Sequence, residues 1–470
     1  MKYFLDLFGC VKNQVDAENM MSGLNKAGWE NVSEAESADL IIVNSCGFIE
    51  SAKQESINAV LGWHKTYPGK KILLAGCLAQ RYAKELAEIL PEACAFMGTE
   101  YQGSFMAEQA VQIAEKIVSA NSIINPQIKT ANLKLSTPKS QTSALYSAGE
   151  RPLLSLPGSA YVKISEGCSN NCSYCAIPLI RGKQVSRSIP DILQEYRALI
   201  NRGIKEICII GQDIGAFAPD STAKKSNKTS VIASKLPQLL DAISALKGKF
   251  WVRLLYIHPD HFPVQILDIM ERDERFLPYF DIPFQHASPK ILAAMNRRGT
   301  AEKYLALLAI IRGRLERAVI RSTFLLGFPG ETNEDFEMLC AFQEKAALDW
   351  LGCFTYSGEE GTAAYSMKGK VPKKTAAARK KIIEERQIPI TERKMERFTG
   401  LTMDVLTEEK ISAAGAEDIF LGRLYCQAPD IDGSAVIING NKDGKILHTG
   451  TLVPCKITAR NGFDLEVQIL

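Results

Sequence analysis

The chain has 470 residues, 46% of them apolar, and 56 lysine or arginine against 53 aspartate or glutamate, a formal net charge of +3. That length is too great for one core and implies about three domains, while no apolar stretch approaches the roughly 18 residues that span a bilayer. The start, Met1-Lys2-Tyr3-Phe4, enters a patterned strand without a signal-peptide region, so the expectation is a cytoplasmic protein whose twelve cysteines serve metal or redox chemistry rather than disulfides.

The apolar runs Tyr3 to Phe8, Leu40 to Val43 and Ile72 to Ala75 predict strands, and Asp16 to Lys26, Ala52 to Trp63 and Ala79 to Leu90 predict helices between them. Alternation of this kind builds a parallel α/β sheet, here within a first domain of residues 1–122. A cysteine follows each strand: Cys10, Cys46 and Cys77. Right-handed crossovers bring all strand ends to one edge, so the three converge. A lone free cysteine is most often a small buried hydrophobe. Three of them flanked by glycine or serine (Gly9-Cys10, Ser45-Cys46-Gly47, Gly76-Cys77) point instead to thiolates that hold an iron-sulfur cluster.

Residues 123–150, polar and without periodicity, read as a linker. The strand Ala160 to Ile164 then leads into Cys168-Ser-Asn-Asn-Cys172-Ser-Tyr174-Cys175, a CxxxCxxC loop. Three thiolates can hold three corners of a 4Fe-4S cube and leave the fourth iron open to a small molecule. A zinc knuckle is the competing reading, but no second cysteine pair follows at useful spacing. The loop, with Tyr174 before its last cysteine, resembles that of radical S-adenosylmethionine enzymes.

Further strands are predicted at Glu206 to Ile210, Trp251 to Tyr256, Tyr279 to Ile282, Val319 to Leu326 and Leu351 to Tyr356, interrupted by a polar loop at 219–230. Six strands with intervening helices make residues 151–364 an open (β/α)6 partial barrel, with functional groups at the strand carboxyl ends. Those ends carry Gly211-Gln212-Asp213, Tyr256-Ile257-His258, Asp281 to Gln285-His286 and Gly327-Phe328-Pro329-Gly330-Glu331. Taken singly, His258 and His286 also read as structural histidines and the glycines as turns. Gln285 and Glu331 are candidate positioning groups. Cys94, Cys208, Cys340, Cys353, Cys426 and Cys455 read as packing residues.

Residues 361–400 carry eleven lysine or arginine against four glutamate, and the helical connector Lys373 to Arg397, within a segment 365–400, reads mostly as a solvated face. Residues 401–470 carry six basic against ten acidic residues, with turn signals at Asp432-Gly433 and Asp443-Gly444. Short alternating runs there predict a small antiparallel β-barrel.

Nearly the whole chain resembles the methylthiotransferase family of radical S-adenosylmethionine enzymes. The likeness rests on Leu7-Phe-Gly-Cys10-Val-Lys-Asn-Gln-Val-Asp-Ala-Glu18, Asn44-Ser-Cys46-Gly-Phe-Ile49, Gly76-Cys77 and the CxxxCxxC loop, and the last module resembles a TRAM domain. Asp281 to Ser288, Met295 to Gly299 and Ala428 to Gly433 resemble the RimO branch. The resemblance implies two 4Fe-4S clusters, on Cys10, Cys46, Cys77 and on Cys168, Cys172, Cys175. It implies S-adenosyl-L-methionine as methyl donor and radical source, lying near Tyr174, Gly211, Gln212, Asp213, His258, Gln285, Gly327 and Glu331. The implied substrate is an aspartate β-carbon of small-subunit ribosomal protein twelve, with flavodoxin or ferredoxin as electron donor. The sister MiaB branch modifies an isopentenylated adenosine in transfer RNA; an acidic terminal module suits a basic protein better than RNA phosphates. Ile214 to Pro219 departs from the branch pattern and leaves local substrate contacts open. A non-catalytic electron carrier is the remaining alternative, but a carrier has no use for two incompletely ligated clusters.

Overall fold

The computed structural model describes residues 1–99, 104–119, 150–219, 233–411, 419–438 and 447–470. The linker up to residue 149, the loop residues 220–230 and the Asp443-Gly444 turn lie outside these. In the first domain β1 (Lys2–Leu7), β2 (Glu30–Asn31), β3 (Leu40–Ser45), β4 (Lys71–Gly76) and β5 (Ala95–Met97) form a parallel sheet in the order β2-β1-β3-β4-β5. Successive side chains of β3 and β4 serve opposite layers, as the two-residue strand period requires. Leu40, Ile42 and Leu73 pack with Ala17, Met20 and Leu24 of α1 (Val11–Lys26), while Ile41, Val43, Ile72 and Leu74 pack with Val60 of α2 (Glu50–Thr66) and Leu78 of α3 (Cys77–Ile89). The unpredicted α4 (Ser104–Ser119) closes the α1 side with Met106, Ala110 and Ile113.

The second sheet is wholly parallel and open, as expected. It comprises β6 (Ser159–Lys163), β9 (Glu206–Ile210), β10 (Trp251–Leu254), β11 (Phe276–Asp281), β12 (Val319–Leu326) and β13 (Trp350–Thr355), in the order β13-β12-β11-β10-β9-β6. A short pair, β7 (Ser165–Glu166) and β8 (Val185–Ser186), brackets the cysteine loop and α5 (Ile177–Arg181). Val162, Ile207, Ile209, Val252 and Ile320 face the helical layer, which includes α6 (Ile189–Asn201), α7 (Leu236–Ser244), α8 (Ile266–Arg272), α10 (Ala301–Arg314) and α11 (Asn333–Ala346). The short α9 (Pro289–Ala294) follows β11.

The opposite face of that sheet would be bare without the last domain. Tyr161, Cys208, Ile210, Trp251, Tyr279 and Val319 share one core with Val405, Leu406, Phe420, Ile457 and Val467 of the terminal barrel. That barrel is closed, from β14 (Thr402–Ile411), β15 (Ile419–Arg423), β16 (Ala435–Ile437), β17 (Leu452–Asn461) and β18 (Asp464–Ile469). It is antiparallel except for the β16–β18 pair, which is parallel. Its expected role as a freely presented acidic surface is reduced by docking. Asp432, read as a turn signal, is buried against Arg321 at 2.6 Å and accepts from the Tyr279 hydroxyl at 2.7 Å, and Asp404 pairs with Lys249. The connector α12 (Lys373–Glu396) exposes most of its charges, as expected, while Ala376, Arg379, Ile383, Gln387, Thr391 and Met395 form a buried stripe. Gln387 donates to the Leu348 carbonyl at 2.9 Å, so the stripe is held by hydrogen bonds as much as by apolar area.

Glu206 links sheet and barrel. Fully buried between Arg253 and Arg423, its carboxyl is held down to about 2 against burial, chiefly by the Arg423 and Arg253 charges. A depressed folded-state pKa contributes stability above the unfolded value and loses it as pH falls. The contribution, about 3 kcal/mol at neutral pH, is therefore expected to vanish between pH of about 4.5 and about 2. Urea midpoints measured across that window in the parent and in Glu206→Gln should converge at the acid end; parallel curves would refute this account.

Candidate active site on two facing strand edges

Cys10, Cys46 and Cys77 all stand at the carboxyl edge of the first sheet, where Cys10 precedes α1, Cys46 follows β3 and Cys77 opens α3. Their loops approach too closely for side chains. A Cβ on Gly47 would lie 2.7 Å from the Cys77 carbonyl carbon, and one on Gly76, at φ +96°, 2.6 Å from the Ser45 carbonyl. Only glycine serves there. Asn13 ties the Cys10 loop to the Cys46 loop, donating to the carbonyls of Phe8 at 2.7 Å and Ser45 at 3.1 Å. Burial pushes the Cys77 thiol up to about 12, so its thiolate needs positive charge nearby. The Arg181 guanidinium supplies some, 3.2 Å from Cys77 Sγ.

The CxxxCxxC loop is tied to the barrel on both sides. Cys168 donates its N–H to Gly182 at 3.1 Å, Ser173 bonds the carbonyls of Ala294 and Met295, and Asn296 donates to the Asn171 carbonyl at 2.8 Å. Burial raises the Cys168 thiol to about 11 and Cys175 to about 12. Among the described residues no three histidine, cysteine, aspartate or glutamate side chains are placed to chelate one ion. By its chemistry, a set of three cysteine thiols is the donor set that three irons of a 4Fe-4S cluster take.

The first triad touches the helix that follows the second. Cys77, Ala176 and Ile180 form one buried contact, which joins the first triad to the residue directly after Cys175. Below it lies a charge-balanced quartet: Arg181 pairs with Asp16 at 2.9 Å and Glu166 at 2.7 Å, and Lys163 pairs with the same two carboxylates. Arg151, fully buried, pairs with Glu18 and Glu195, and Glu359 takes Arg81 at 2.6 Å and Lys53 at 3.2 Å. The polar motif Asn13 to Glu18 is thus the seam between domains.

Comparison with known proteins agrees with this arrangement. Residues 2–98 match the uncharacterized protein family UPF0004, 162–342 the radical SAM superfamily and 399–470 the TRAM domain. The ribosomal protein uS12 methylthiotransferase RimO of Treponema denticola is 46% identical, over 98% of this chain and 99% of its own. The chain belongs to the uS12 methylthiotransferase family. The proteins of that name from Carboxydothermus hydrogenoformans and Aquifex aeolicus are 36% and 37% identical, over 100% and 99% of this chain and 100% and 96% of theirs. Among solved structures, the radical S-adenosylmethionine methyltransferase TsrM of Kitasatospora setae shares the fold, with a TM-score of 0.51 at 15% identity over 75% of this chain and 72% of that one.

Within this methylthiotransferase fold the strand-end residues divide by role. Gly211 is buried, and a Cβ there would meet Ser165 Oγ at 2.7 Å; that hydroxyl is buried without a partner and leaves a donor for a bound group. Gln212 and Gln285 are half-buried, and Gln285 takes φ +69° to bridge Thr323 and Leu325 through its backbone. Tyr174 stacks edge-on to Phe328, 6.5 Å between centroids, with Arg297 3.4 Å from its hydroxyl. His258, kept neutral by burial, which lowers it to about 3, accepts from the Asp260 N–H at 3.2 Å. His286 is the structural histidine, accepting from the Ser288 N–H at 3.0 Å.

Two of the strand-end carboxylates are engaged within the protein. Asp213, a candidate contact for the ammonium of S-adenosylmethionine, bonds Asn170 at 2.9 Å, His261 at 2.7 Å and the N–H groups of Gly215 and His258, and through Asn170 it orients the cysteine loop. Glu331, a candidate positioning group, accepts from the Gly327 N–H at 2.7 Å and pairs with Arg379 of α12 at 2.7 Å, which braces the Gly327 turn. Sequence reasoning missed Asp16, Lys163, Glu166 and Arg181. Lys163 in an otherwise apolar strand was the visible signal.

Proposed function

We infer that this chain methylthiolates the β-carbon of an aspartate in small-subunit ribosomal protein uS12. The observation that carries the reading is the contact of Cys77 with Ala176 and Ile180, the residues that follow Cys175, since one target carbon must reach both triads. Cys168, Cys172 and Cys175 would hold one 4Fe-4S cluster, and Cys10, Cys46 and Cys77 the other. When bound, these clusters and S-adenosyl-L-methionine supply one-electron cleavage and the methylthio group. The protein fixes the distance between them: Arg181 touches Cys77 from the helix that Cys175 feeds, and the buried quartet keeps that helix in place. Gly211 and the unpartnered Ser165 hydroxyl leave room and a donor beside the second triad. A reduced flavodoxin or ferredoxin supplies the electron in this reading, in the cytoplasm.

The test is anaerobic incubation of the reconstituted enzyme with uS12, S-adenosylmethionine and a reductant, followed by mass spectrometry. The expected result is one methylthio group on an aspartate. Deoxyadenosine without that gain would instead favour a transfer RNA substrate.

A further inference from the structure

We propose that Lys12 anchors the carboxylate of the target aspartate, an inference that rests on the uS12 reading above. Lys12 is the second residue of α1, two positions after Cys10, and is 5% exposed. Its ammonium makes no ion pair or hydrogen bond among the described residues, although it lies in the field of Cys10, Asp281, Arg181 and Glu166. The neighbouring buried cations are treated differently. Arg181 and Lys163 each take Asp16 and Glu166, and Arg151 takes Glu18 and Glu195.

The one strong contact of the Lys12 ammonium is the Tyr256 ring, 2.9 Å from its centroid. A cation over an aromatic face gains about 0.5–2 kcal/mol, less than the several kcal/mol that burying an unpaired charge costs. Tyr256 is itself held at φ +70°, a backbone cost of about 1–3 kcal/mol for a non-glycine residue. Strain and a buried ammonium with no ion pair among the described residues, at the same point, indicate an anion that arrives with the substrate. Lys12 lies two residues from Cys10, so an anion held there is presented to the first triad.

An aspartate carboxylate suits the position for a geometric reason. Its carbon is bonded directly to the β-carbon, so fixing the carboxylate places the reacting carbon one bond, about 1.5 Å, away. With the anchor two residues from Cys10, that carbon is presented to the first triad. Lys12 then serves as a substrate-binding and specificity residue.

The test measures binding of uS12, and of uS12 with the target aspartate replaced by asparagine, to the reconstituted parent, Lys12→Met and Lys12→Arg enzymes. The parent should prefer aspartate over asparagine by about tenfold or more. Lys12→Met should lose that preference, Lys12→Arg should keep most of it, and iron content and visible spectra should match the parent in both. An unchanged preference in Lys12→Met, with the parent still modifying uS12, overturns the proposal and leaves the function standing; so does loss of iron confined to the first triad. A parent that neither binds nor modifies uS12 overturns the functional reading and the proposal together.

Discussion

Alanine at Cys168, Cys172 or Cys175 is expected to abolish cleavage of S-adenosylmethionine, whereas alanine at Cys10 is expected to leave cleavage intact and abolish methylthio transfer. The division follows from ligand counts. Each triad has three thiols, so losing one leaves two, too few to retain a cluster against chelation by solvent thiols. Reconstituted protein should then drop from about eight to about four iron atoms per chain in either class of variant. Cys10 is the cleanest probe of the first triad because it is exposed. Cys77 is a poorer choice, since it also packs on Ala176 and Ile180 and takes the Arg181 contact, so its loss would disturb the second triad as well. Deoxyadenosine is read by chromatography and the methylthio product by mass. Methylthio transfer surviving in Cys10→Ala would sink the two-cluster assignment.

How far the sequence revealed this depends on where burial coincides with apolar composition. The strands β3, β4, β9 and β12 were legible because both faces are covered, one by helices and the other by helices or by the terminal barrel, which forces continuous apolar runs. The cysteines were legible because topology alone brings strand ends to one edge. The seam was not. Asn13, Gln14, Asp16 and Glu18 are all buried, yet nothing in a run of polar residues on a helix says that its partners are Lys163, Arg181 and Arg151 from another domain. The polar members of the α12 stripe, Arg379, Gln387 and Thr391, were hidden in the same way, and so was the part of the terminal module's acidic balance that Arg321 and Lys249 neutralise. Charge counted along a chain measures a surface only when the charges reach it.

The seam also carries the second large effect. In the quartet Asp16, Glu166, Lys163 and Arg181, two carboxylates balance two cations with all four side chains 1–3% exposed. Asp16→Asn leaves two buried cations sharing the Glu166 carboxylate, whose pKa, held down to about 2 by Arg181 and Lys163, shows how strongly the cations act on it. Removing one partner of such a set costs about 3–5 kcal/mol, because an uncompensated charge stays buried. The expected result is a fall in Tm of roughly 3–5 °C by circular dichroism. Lys163→Met on top of Asp16→Asn should recover part of that loss, since Arg181 and Glu166 then remain as a balanced pair, and removing both partners of a buried ion pair is far less costly than removing one. Additive losses in the double variant would show that the quartet is not acting as a charge-balanced unit. Because Arg181 is the residue that reaches Cys77, the same single variant should lower methylthio product formed per deoxyadenosine released, and the double variant, with Arg181 paired again, should recover that ratio as well.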